Sequence, residues 1–194
     1  MKRKKERRRR QFLALGTVAV LLGVFAGALV ASGTFDDALQ ELTLPLRHED
    51  VIRQQAAEKG VDAALIAAVI YSESKFSDQT SSAGARGLMQ ITPEAADTIA
   101  RNSDATTFEL KDLGDPEINI RYGTFLLGEL LDRYEGDEAA ALAAYNAGPG
   151  NADEWGGADL TVEEIPFPET RAYVEEVLEK KREYRGEYSR ELGY

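Results

Sequence analysis

Residues 62–76 read DAALIAAVIYSESKF. Asp62 is a helix-capping residue, Ala63 to about Ser74 is Ala- and Ile-rich, and Lys75-Phe76 begins a stretch without periodicity, so the segment predicts a buried helix ending at about Ser74. On that helix Glu73 falls three residues after Ile70 and seven after Ile66, on the apolar side. A carboxyl held against apolar walls loses solvation in its charged form, its pKa rises, and it can act as a general acid near neutrality. Periodicity alone also allows Glu73, in the last turn, to face water.

The flanking sequence is helical as well. Glu49 to Lys59 forms a short helix closed by Gly60, Thr92-Pro93 opens one through about Arg101, and Asp115-Pro116 opens a longer one reaching Tyr134. That longer helix carries Ile118, Tyr122, Leu126, Leu127, Leu130 and Leu131 on its expected apolar face. Glu138 to Tyr145 is Ala-rich and closes at Gly148-Pro149-Gly150, followed by a loop from Asn151 to Gly157, and Arg171 to about Tyr188 is a charged amphipathic helix. No strand alternation or internal repeat is present. The fold class is mainly α.

Composition narrows the chemistry. The 194 residues contain no cysteine and one histidine, His48, which excludes disulfide scaffolds and thiol nucleophiles and leaves little for zinc or a Ser-His triad. His48 itself reads as a solvated or capping residue before the first helix. The formal net charge is −11. Residues 1–10 hold eight Lys/Arg and one Glu, a balance of +7, so residues 11–194 carry −18. An acidic body of that size repels nucleic-acid phosphates, and no nucleic-acid partner is expected.

No residue from Gln11 to Phe35 is charged, and Phe12 to Ala31 is almost wholly apolar. About 20 such residues span a bilayer core of about 30 Å. The reading is a basic cytoplasmic head at 1–10, a transmembrane signal-anchor at 11–31, a short tether at 32–46 and a globular domain at 47–194. The basic head places that domain outside the cytoplasm by the positive-inside rule, on a single-pass membrane protein. The alternative is a secreted product after signal cleavage near Ala26-Gly27-Ala28.

Two Gly/Ala-rich turns carry polar heads: Ser81-Ser82-Ala83-Gly84-Ala85-Arg86-Gly87-Leu88-Met89-Gln90-Ile91 and Ala144-Tyr145-Asn146-Ala147-Gly148-Pro149-Gly150. Glycine allows close backbone approach to a ligand, while Gln90, Tyr145 and Asn146 offer directional groups for hydroxyl and acetamido substituents, a combination that suits a sugar-binding groove. Met89 and Tyr145 read equally well as core residues. Trp155 either stacks on a sugar or anchors its loop.

Glu73-Ser74-Lys75-Phe76, Gly87-Leu88-Met89-Gln90-Ile91, Ala144-Tyr145-Asn146-Ala147-Gly148-Pro149-Gly150 and Glu169-Thr170-Arg171-Ala172-Tyr173-Val174 together resemble the four ordered motifs of soluble-lytic-transglycosylase-type (SLT) domains, over roughly residues 47 to 185. Leu113-Gly114-Asp115-Pro116 with Asn119-Ile120 also resembles the family's helix opening before the third motif. The resemblance implies a lysozyme-like helical fold without metal or organic cofactor. It implies peptidoglycan glycan strands as the partner, and cleavage of the MurNAc-β-1,4-GlcNAc bond with formation of 1,6-anhydromuramoyl ends. Carried over motif by motif, Glu73 is the general acid and then base and Tyr145 its catalytic companion. Ser74, Ser82, Met89, Gln90, Asn146 and Tyr173 fall to substrate binding, with Met89 as an apolar cleft wall. Two alternatives stay open: a noncatalytic peptidoglycan-binding scaffold of an envelope complex, and a hydrolytic muramidase on the same fold.

Overall fold

A computed structural model describes residues 34–102 and 109–194 of the chain. The chain divides into two units, Met1–Leu44 and Pro45–Tyr194. In the first, Thr34–Thr43 forms helix α1, where the sequence predicts an irregular tether. Near its end the Thr43 hydroxyl donates to the Leu39 carbonyl at 2.8 Å, four residues back as helical spacing requires. The basic head at 1–10 and the membrane segment at 11–31 lie outside the described residues. No described helix is long and apolar enough to cross a membrane.

The second unit comprises α2 (Glu49–Lys59), α3 (Ala63–Ser74), α4 (Pro93–Asn102), a 3-10 turn (Leu110–Gly114), α5 (Pro116–Arg133), α6 (Glu138–Ala147), α7 (Pro149–Trp155), 3-10 turns at Gly157–Asp159 and Val162–Glu164, and α8 (Pro168–Glu187). Local signals set most boundaries. The Asp62 side chain accepts from the Ala64 amide, Asp115 from those of Glu117 and Ile118, Asp137 from that of Ala140, and the Thr92 hydroxyl from that of Ala95. Among the described residues there is no strand, only isolated bridges pairing Arg86 with Thr80 and Ile91 in the segment after α3.

Helix α3 is the axis of the core. Every residue from Ala63 to Ile70 is buried, as expected of a helix apolar on all sides, and it packs against α8 and α2. The run Ala140–Ala144 of α6 is equally buried and lets α5 and α8 approach closely. On α8, Tyr184 is fully buried, rests edge-on against Tyr71, and donates to the Pro45 carbonyl at 2.6 Å.

Two expectations need correction. The buried face of α5 consists of Asn119, Ile120, Gly123, Thr124, Leu127 and Leu130, while Ile118, Tyr122, Leu126 and Leu131 stay partly exposed. The helix is rotated from its most apolar setting because Asn119 is drawn inward by loop backbone. The stretch after Gly148 is also not a loop: Gly148, at φ +90°, ends α6, and Pro149 occupies the first turn of α7.

Candidate active site

Glu73 sits in the last turn of α3, and the chain turns sharply behind it. Lys75 and Phe76 both take left-handed backbone, at φ +50° and +59°, a conformation disfavoured for non-glycine residues and especially for a bulky one. Burial of the Phe76 ring against Tyr184 holds the turn. Ser74 is buried too, and its hydroxyl donates to the Ile70 carbonyl at 3.1 Å. It is the last residue of the helix and only 6% exposed.

Burial strips water from the Glu73 carboxyl and pushes its pKa up to about 7, against a partial downward pull from the Tyr173 phenol. Tyr173 comes from the first turns of α8. Tyr145 comes from the end of α6. Desolvation and then the nearby Glu73 charge raise both phenols well above the usual tyrosine range. Their hydroxyls differ in one respect. Tyr145 donates to the Met89 carbonyl at 2.8 Å, whereas the Tyr173 oxygen is buried without a properly formed hydrogen bond, close enough to Glu73 to favour its carboxylate. Such contacts are often long in a free enzyme and tighten around substrate.

The third element is the turn at Gly87–Gln90. A Cβ at Gly87 would lie 2.2 Å from Asn119 Nδ2 and 2.5 Å from the Leu113 carbonyl oxygen, so only glycine fits. Asn119 is fully buried. Its Oδ1 accepts from the Met89 amide at 2.8 Å, and its Nδ2 donates to the carbonyls of Arg86 at 2.9 Å and Leu113 at 3.0 Å. Gln79 joins this loop to α3, donating from its side chain to the Glu73 carbonyl at 3.1 Å and accepting at its own carbonyl from the Gly87 amide and the Gln90 side chain.

Of the residues read from sequence, Glu73, Tyr145 and Tyr173 form one electrostatically coupled cluster. Asn146 is exposed and lines a groove of about 400 Å³ with Tyr145, Gly148, Thr92, Glu94 and Leu126. Met89 is a correction. Its side chain is fully buried over Gly123, where a Cβ would meet the Met89 Sδ at 2.3 Å, and it contributes its carbonyl rather than a cleft wall.

The Gln90 side-chain nitrogen is spent on the Gly87 and Gln79 carbonyls, leaving only its oxygen for a ligand. Ser82 is exposed on the loop, and the neighbouring Ser81 makes the side-chain bond there, accepting from the Ala85 amide. Trp155 is half-buried and packs edge-on against Phe167 at 4.9 Å, which makes it an anchor for α7. His48 occupies the N-cap of α2 without a side-chain cap. Asn119 and Gln79 carry no periodicity or composition signal; the short Asn119-Ile120 match was the one available hint.

A carboxyl with its pKa raised to about 7 lies near two phenols, one of which lines a groove, in a mainly helical domain. Residues 50–167 match the transglycosylase SLT domain family, and the chain belongs to it. It is 35% identical over 163 residues to the soluble lytic murein transglycosylase of Escherichia coli K12, covering 79% of this chain and 25% of that protein. It is 33% identical over 156 residues to membrane-bound lytic murein transglycosylase F of Alcanivorax borkumensis, covering 74% and 31%.

Among solved structures it superimposes on an inactive mutant of the lytic transglycosylase Slt from Pseudomonas aeruginosa with TM-score 0.72 and 32% identity, over 77% of this chain and 26% of that one. The 70 kDa soluble lytic transglycosylase of E. coli gives TM-score 0.71 and 34% identity, over 82% and 27%. The chain thus spans about a quarter of the length of the curated relatives matched first. The mainly helical, lysozyme-like expectation for the domain agrees with this fold.

Proposed function

We propose that the protein is a peptidoglycan lytic transglycosylase that cleaves the MurNAc-β-1,4-GlcNAc bond and leaves 1,6-anhydromuramoyl ends. The observation that carries this reading is Glu73, a carboxyl with a pKa near 7 coupled to Tyr145 and Tyr173. Protonated, Glu73 gives its proton to the glycosidic oxygen as the C1–O4 bond breaks. The resulting carboxylate takes the proton of the muramoyl C6 hydroxyl as O6 closes on C1. One bond is exchanged for another, Glu73 ends as it began, and no net water is consumed.

The usual glycosidase pair has a second carboxylate as nucleophile or base, and substrate-assisted enzymes dispense with it. Here the substrate acetamido group fills that role, the groove beside Tyr145 and Asn146 seats the strand, and the two phenols orient the acid and the oxocarbenium-like sugar. The names of the two relatives above, both lytic murein transglycosylases, support this substrate class. We place the domain outside the cytoplasm on an anchor at 11–31. Immunoblotting of membrane and medium fractions tests that placement; a shortened product in the medium overturns the anchor.

The deciding experiment is mass spectrometry of soluble products after the full chain is incubated with purified peptidoglycan. Anhydro-ended fragments that vanish with Glu73→Gln are expected. Reducing-end fragments would make the protein a muramidase, and binding without turnover would make it a scaffold.

A further inference from the structure

We propose that Asn119 is a positioning residue for this reaction, acting on Tyr145 through the main chain on either side of the Met89 Cα. The inference rests on the transglycosylase reading. Asn119 touches neither Glu73 nor the groove, yet it is fully buried and makes three hydrogen bonds to main chain of the loop region. One of them leads to the site. The Met89 amide is held by Asn119 Oδ1 at 2.8 Å, and the carbonyl of that same residue accepts the Tyr145 hydroxyl at 2.8 Å.

A phenol has one proton and two lone pairs. With the proton directed to Met89, the Tyr145 oxygen is left as an acceptor beside Glu73, suited to take a hydrogen bond from the protonated acid or from a sugar hydroxyl. The acceptor role depends on where the Met89 carbonyl sits, and three neighbours limit its position. Gly87 cannot move toward Asn119, because even a Cβ there would lie 2.2 Å from the amide nitrogen. The Met89 side chain is locked over Gly123. The Met89 carbonyl belongs to the 89–90 peptide, whose amide donates to the Gly87 carbonyl at 3.3 Å, and the Asn119 acceptor fixes the 88–89 peptide before it, so the two together set the Met89 Cα from which the carbonyl projects.

A polar residue on the buried face of α5 therefore does what an apolar one cannot: it fixes main chain that fixes a phenol. Without it the Met89 carbonyl is held only from the Gln90 side, at 3.3 Å, and the Tyr145 proton can turn toward Glu73, which exchanges the roles of donor and acceptor at the acid.

The test is a double-mutant cycle on the full chain, read as turnover of soluble glycan strands, with folding verified by circular dichroism and thermal melting. Asn119→Ala is expected to lower kcat at least about tenfold with KM within about twofold. In a Tyr145→Phe background the same change is expected to lower kcat by less than about twofold, because residues acting in one chain are not additive. A merely structural asparagine would give losses that multiply, and that result, or an unchanged kcat in Asn119→Ala, overturns the proposal. If Asn119→Ala does not fold, Asn119→Asp carries the cycle at acid pH, where the protonated side chain keeps the acceptor and one donor. An inactive wild type overturns the transglycosylase reading and this inference together; multiplying losses in an active wild type overturn only the inference.

Discussion

The Tyr145 hydroxyl donates to the Met89 carbonyl at 2.8 Å, a bond between residues 56 apart that joins the two Gly/Ala-rich motifs. Removing it separates two effects. Tyr145→Phe leaves a carbonyl without its partner in a desolvated place, at a stability cost of about 1–3 kcal/mol. It also removes the acceptor beside Glu73. We expect kcat to fall about 10- to 100-fold, within the range of a positioned acid–base partner, with KM little changed. Steady-state kinetics and urea unfolding on one preparation check both.

Glu73 destabilises the fold it serves, and the sign follows from its raised pKa. With a folded value of about 7 and an ordinary value of 4.5, the native state binds more protons between those limits. Stability falls as pH rises through that window and is level above it. The cost above pH 7 is on the order of 3 kcal/mol. Glu73→Gln carries no such penalty. Urea unfolding should give the variant and wild type similar stability near pH 4 and a more stable variant at pH 8, while turnover is lost; equal stability at pH 8 would contradict the buried-acid assignment.

Tyr173 favours the carboxylate of Glu73, so its loss must raise the Glu73 pKa further. Tyr173→Phe is expected to move the alkaline limb of the kcat/KM profile to higher pH. A downward shift would show that the phenol stabilises the protonated acid instead.

Gly87→Ala tests the turn. A methyl group would overlap the Asn119 amide and the Leu113 carbonyl, at a φ of +74° that side chains avoid. Overpacking of this kind costs about 1–3 kcal/mol, and the left-handed backbone adds about 1 more. Thermal melting should show the loss, whereas Gly136→Ala, at φ +88° with nothing within 4 Å, pays only the backbone part.

Asp62 ties the start of α3 to α8. It caps the Ala64 amide, pairs with Lys181 at 3.3 Å and Arg185, and accepts from the Tyr194 hydroxyl. Burial raises its pKa, but Tyr194 and Lys181 outweigh that and hold it below the usual value of 3.8. Its contribution is therefore complete above about pH 4 and fades as pH falls through the lower folded value. Asp62→Ala should cost about 1–2 kcal/mol at pH 7, measured by urea unfolding, and less at pH 2.

The sequence by itself determined the helices α2 to α6 and α8, though not α1 or α7, because their signals are local. Asp62, Thr92, Asp115 and Asp137 cap the turn that follows each of them, and an uninterrupted Ala/Ile/Leu run is buried on all sides wherever it lands. The same locality made Glu73 visible, since its spacing from Ile66 and Ile70 is a property of one helix. What a side chain meets across the fold was not legible. Asn119 stands out only in the Asn119-Ile120 match, Met89 reads as either a core residue or a cleft wall, and Gln90 reads as a sugar ligand. Only tertiary packing turned Asn119 inward onto the Met89 amide, buried Met89 over Gly123 and spent the Gln90 nitrogen on its own loop. The physical reason is that buried main-chain groups must find partners, and which side chains supply them depends on segments brought together only when α3, α5, α6 and α8 pack.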